Sequence, residues 1–146
     1  MDQRYSVSRT IKAPLELVFS RISDVRNFAE VSEDILNIEF LSETTDGVGT
    51  RFRETRDMNG RTATTELEIT EYVENERVRF VSDAGNTIWD TVMAVTADGD
   101  VTRLEMNMDA RPYKFLARIV NIVIKPMVTK AVTKDMDGLK TWCEAQ

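Results

Sequence analysis

The chain contains no histidine and only one cysteine, in 146 residues. Without histidine there is no Ser-His-Asp arrangement, no imidazole base and no His-based metal site. The lone Cys143 cannot close an internal disulfide, which fits a reducing compartment such as the cytoplasm. It lies on a helical pattern and lacks an imidazole partner, so it reads as a small core residue rather than a nucleophile. Long apolar runs are missing too. The strongest, Ile119 to Ile124, is broken by Asn121 and is far too short to span a bilayer. Asp46-Gly47-Val48-Gly49-Thr50 lacks the Lys-Ser/Thr ending of a phosphate loop, and Asp98-Gly99-Asp100 is too short for a calcium loop. No metal and no cofactor is therefore expected.

Hydrophobic residues make up 42% of the chain, enough for a core, and the length suits one domain over residues 1–146. The formal net charge of −6 disfavours a general nucleic-acid role. The charge is uneven. From Tyr113 to Gln146 six Lys/Arg face three Asp/Glu, a net of +3, which leaves −9 on the remainder. Such a segment is either a solvated helix face or a basic surface for an anionic ligand, partner or membrane.

Periodicity divides the chain. Tyr5, Val7 and Ile11 alternate with polar residues, giving a half-buried strand on whose inner face Arg9 is the misfit. Pro14 suits the first position of a helix carrying Leu15, Val18, Phe19 and Ile22, and Asp24 suits the cap of a second short helix. From Ile35 to Asp109 the period is two, interrupted by turn signals at Asp46–Gly49, Asn59-Gly60, Glu74–Glu76, Asp83–Asn86 and Asp98–Asp100. After Pro112 the period becomes helical for about thirty residues. Leu116, Val120, Val123 and Met127, with Ile119 beside them, form one stripe. Val128, Val132, Met136, Leu139 and Cys143 continue it. Pro126 predicts a kink or break near Ile122 to Lys125. The reading is α+β: a seven-stranded curved antiparallel sheet wrapped around a long C-terminal helix, with two short helices after the first strand.

Particular residues carry a family resemblance. They are Ile11-Lys12-Ala13-Pro14 with Glu16, Val18 and Phe19, then Ile22-Ser23-Asp24, then Gly47, Gly49, Thr50 and Phe52. Gly99, Thr102, Arg103 and Leu104 follow, and Leu139-Lys140 with Glu144 close the set. In this order, across nearly the whole chain, they resemble the START and birch-pollen-allergen-like superfamily of polyketide cyclases, dehydrases and lipid-transport proteins. The resemblance implies a helix-grip fold with a cavity between sheet and long helix. It further implies a lipid, sterol, quinone, hormone or polyketide as guest, which some members cyclise or dehydrate and others carry or sense.

On that basis the expected apolar lining is Phe52, Leu67, Phe80, Trp89, Met93, Met106 and Met108 from strands, faced by Leu116, Ile119, Val120 and Val123 from the helix. Seven methionines suit an adaptable wall. Alternation puts Arg9, Glu54, Arg56 and Thr91 on the inner face. There the arginines are candidates to meet a ligand carboxylate or phenolate, or to pair with Glu54. Asp90 faces inward only if the strand at Trp89 runs in the opposite register. Two readings follow: a carrier or sensor of a hydrophobic small molecule, or a cyclase/dehydratase using a buried carboxylate, Glu54 or Asp90, with Tyr5, Tyr72 or Tyr113 as hydrogen-bond donor. Nothing in the sequence sets the oligomeric state.

Overall fold

Alternating residues fold into seven strands: β1 (Gln3–Ile11), β2 (Ile35–Phe40), β3 (Arg51–Met58), β4 (Arg61–Val73), β5 (Arg77–Ala84), β6 (Thr87–Asp98) and β7 (Val101–Pro112). The computed structural model describes residues 2–146, and Met1 lies outside the described residues. All neighbours in the sheet are antiparallel, in the order β1-β7-β6-β5-β4-β3-β2, so β1 joins the far end of a six-strand meander. Two-residue turns fix the registers. At Asn59-Gly60 both residues take positive φ (55° and 86°), and Met58 pairs directly with Arg61. Register shifts at Ile35/Asn37 and Ile69/Glu71 mark bulges, which bend a sheet and raise its twist.

One face of this sheet is apolar. On β7 Thr102, Leu104, Met106, Met108 and Ala110 are all buried, as period-two alternation requires. Helices α1 (Leu15–Ser23) and α2 (Phe28–Val31) are joined by a 3₁₀ turn at Val25–Asn27. Asp24 caps that turn by accepting from the Arg26 N–H, while Pro14 sits just before α1 in extended geometry. Phe28 brings α2 against the sheet in edge-to-face contact with Phe52 and Phe80.

Helix α3 (Phe115–Glu144) covers the same face and runs unbroken through Pro126. The expected break is absent. Proline removes one hydrogen bond, and the Ile122 carbonyl it leaves unpaired belongs to an exposed turn where water can satisfy it. Only Ala117, Asn121, Met136, Leu139 and Cys143 of α3 are fully buried. Its ends are pinned by polar contacts. Asn121 Nδ2 donates to Thr87 Oγ1 at 3.0 Å, Arg9 Nε donates to Asp137 at 2.6 Å, and the Lys12 N–H donates to Glu144 at 2.9 Å. Gly138 lies so near α2 that a Cβ there would stand 2.2 Å from the Val31 carbonyl oxygen.

Candidate functional site

Between the curved sheet and the C-terminal half of α3 lies a partly open cavity of about 350 Å³. That is the lower end of the range, about 300–1,000 Å³, used for small-molecule sites. Its sheet wall includes Leu67, Phe80, Trp89, Thr91, Met93, Met106 and Met108. The Trp89 indole N–H is engaged by the Ala84 carbonyl at 3.1 Å, so the ring presents an apolar surface to the space. Val128, Ala131, Val132, Met136 and Leu139 of α3 close one side, and Phe28 and Val31 close another.

Four charged residues interrupt this lining: Arg21 from α1 and a cluster of three, Glu54, Arg56 and Asp135. Glu54 and Arg56 are alternate residues of β3, so both face inward, and Asp135 approaches from α3. Arg56 Nη1 stands 2.9 Å from Asp135 Oδ2, and Arg56 Nη2 stands 3.4 Å from Glu54 Oε1. Ser32 Oγ donates to Asp135 at 2.9 Å. Burial raises the Glu54 pKa above the ordinary carboxylate value, and the Asp135 charge adds to this while Arg56 opposes it. Burial also works against the Arg56 charge, but the two carboxylates more than offset it and keep the guanidinium ionised. Two carboxylates thus share one cation. Asp135 has the closer contact, and Glu54 is left as the weakly held acid facing an apolar space.

Several expected site residues lie elsewhere. Leu116, Ile119, Val120 and Val123 do not face the cavity: they are 70%, 46%, 45% and 72% exposed. The small or polar Ala117 and Asn121 turn toward the sheet instead, and the cavity-facing part of the helix begins at Val128. Phe52 is fully buried but packs among Phe28 and Phe80 without reaching the cavity. Arg9 has the inner-face register opposite Leu104, yet it stands on an edge strand and is taken up by Asp137. Asp90 is buried on the opposite face, because Trp89 and Thr91 on either side of it line the cavity. Hydrogen bonds from Arg79 and Arg111 hold its carboxyl below the usual carboxylate range. None of the three tyrosines reaches the cavity: Tyr5 donates to Gln3, Tyr113 donates to Asp83, and Tyr72 packs on Phe19. Cys143 is buried, and burial pushes its thiol up to about 11, which leaves it unreactive at neutral pH.

Asp135, Ser32, Phe28 and Arg21 are lining residues that sequence reasoning missed. For Asp135 a signal existed: it falls three residues after Val132 and seven after Val128, on the side of an apolar stripe. Among the described residues no three carboxylates or thiols cluster closely enough to hold a metal ion.

The family model described as polyketide cyclase / dehydrase and lipid transport matches residues 2–144. The chain belongs to this family. The structural neighbours agree with the helix-grip architecture. Over 98% of both chains the protein superposes on TTHA0849 from Thermus thermophilus with a TM-score of 0.80 and 18% identity. The Zhui aromatase/cyclase from Streptomyces sp. R1128 gives 0.79 at 17% identity, over 99% of this chain and 94% of that one. A START superfamily protein from Mycobacterium smegmatis gives 0.78 at 14% identity, over 97% of each. No curated protein matches the sequence significantly. At these identities the neighbours speak to the fold alone.

Proposed function

We propose that this member of the family binds a mainly apolar small molecule, lipid-, quinone- or polyketide-like, as a carrier or sensor. The observation that carries this reading is the 350 Å³ space, walled mainly by aromatic, methionine and aliphatic side chains around the polar group of Glu54, Arg56 and Asp135, with Arg21 and a few hydroxyl residues also in the wall. Burying about 300 Å² of apolar ligand surface contributes about 7 kcal/mol before association costs. Selectivity then rests on the polar group. Glu54, whose proton is held more tightly than usual, accepts from or donates to a ligand hydroxyl or carbonyl, and Arg56 sits beside it to meet an oxygen with partial negative charge. Native mass spectrometry of the protein purified from cells tests the reading. A 1:1 adduct with an apolar species is expected, lost when Ala131→Trp fills the space. No adduct, together with no ligand-induced rise in melting temperature across a panel of lipids, quinones and aromatic polyketides, would contradict it.

A second reading rests on the raised Glu54 pKa. A carboxylate of this kind can take a proton from a carbon between two carbonyls. The carbanion then attacks a second carbonyl of the same chain, and the proton returns from Glu54 to the resulting alkoxide. The groups balance without a cofactor. Glu54→Gln separates the readings. A carrier variant keeps binding and returns its ligand unchanged, whereas a cyclase variant binds but loses turnover by about 10²-fold or more.

A further inference from the structure

The N-terminal half of α3 carries an apolar surface that the fold leaves uncovered. Among the described residues, seven of the nine exposed large apolar side chains fall between Tyr113 and Val123. Single exposed apolar residues are ordinary, but a contiguous group marks an interaction surface. With 3.6 residues per turn, Phe115, Leu116, Ile119, Val120, Ile122 and Val123 share the side of the helix opposite buried Ala117 and Asn121. Along one flank of this surface run Lys114, Arg118 and Lys125. No acidic residue occurs between Asp109 and Asp135. The first ion-paired cation along α3 is Lys134, held by Glu33 and Asp34.

We propose that this half-helix docks on an anionic lipid bilayer, lying in the plane of the interface. Its apolar side enters the acyl-chain boundary and its basic flank meets the headgroups. The charge pattern selects this occupant. A second copy docked through the same surface would bring two basic flanks together with no carboxylate between Asp109 and Asp135 to compensate them. An anionic bilayer matches both the apolar side and the flank. The body of the protein, −9 without the segment from Tyr113 onward, is repelled by the same surface and so points away from it. No helix among the described residues is long and apolar enough to cross a membrane, so the contact is in-plane. This docking does not depend on what the cavity holds.

Co-sedimentation of the full chain with phosphatidylcholine vesicles, with and without phosphatidylglycerol, tests it. Binding is expected only with phosphatidylglycerol, at about 0.01 M salt, and is expected to vanish near 1 M, where screening acts within about 3 Å. The triple variant Lys114→Glu, Arg118→Glu, Lys125→Glu is expected to bind about a hundredfold more weakly or worse. Leu116→Ser with Val123→Ser is expected to lose at least about tenfold at an unchanged melting temperature, since both side chains are already in water. The proposal is overturned by any of three results: no binding to phosphatidylglycerol vesicles at low salt, binding that survives in both variants, or a dimer in sedimentation equilibrium that the Leu116/Val123 variant dissociates.

Discussion

Alternation placed Glu54 on the inner face and Asp90 there only in the opposite register, and the fold gives the two carboxyls opposite electrostatics. Burial lifts the Glu54 pKa above its unfolded value. The stabilisation linked to its bound proton is therefore complete below the unfolded carboxylate pKa and is lost as pH rises through the folded one. Glu54→Gln is accordingly expected to be no less stable than wild type at pH 7, and to lose the relative disadvantage of the charged form as pH climbs. Paired urea melts at low and neutral pH check this. Arg56→Met leaves two half-buried carboxylates without their cation and is expected to cost about 3 kcal/mol, the low end for breaking a buried pair. Asp90 has a depressed pKa, so its stabilisation is present above the unfolded value and is lost as pH falls through the folded one. Asp90→Asn is expected to cost about 2 kcal/mol at pH 7, moderated because Arg79 and Arg111 stay partly in water, with no change in ligand affinity. Alternation could place Glu54 and Arg56 on the inner face. It could not say that Asp135 would reach them, because that pairing spans 79 residues and depends on how α3 is laid across the sheet.

At the level of elements, the hairpins and the final strand were the most legible, because Asn-Gly turns and a clean apolar/polar alternation each have one physical outcome. Helix α3 was legible as a helix but not as a surface. Both of its halves carry apolar stripes, yet only the second half packs over the cavity. The first half shows the sheet a small alanine and an asparagine bonded to Thr87, and it leaves its leucine and valines outside. Burial ranked by hydrophobicity alone assigns those residues the other way round. Gly138 shows the same limit. In a helix interior glycine costs about 1 kcal/mol relative to alanine, but here the backbone of α2 occupies the place of a Cβ. Gly138→Ala is expected to lower stability by about 1–3 kcal/mol despite its better helix propensity, measured by equilibrium unfolding. A more stable variant would mean that α2 and α3 stand further apart.

For the molecule as a whole, curvature and length set the cavity. A bent seven-stranded sheet cannot meet a single helix flush along its inner face, and the space left over is mainly apolar, with its charges at Arg21, Glu54, Arg56 and Asp135. Family resemblance and strand count made the existence of this space readable in advance. Its position along α3 was not readable, since that follows from where Gly138 and Asn121 let the helix approach its neighbours. The methionines supply a direct test. Met58, Met93, Met106, Met108 and Met136 line the cavity, and Met127 does not. Apolar cavities of this kind take up xenon. With methyl-labelled methionine, xenon titration followed by NMR is expected to shift the five lining resonances saturably and to leave Met127 still. Unchanged resonances at every methionine, or equal and unsaturable shifts at all of them, would contradict a guest-sized space between the sheet and the C-terminal half of α3.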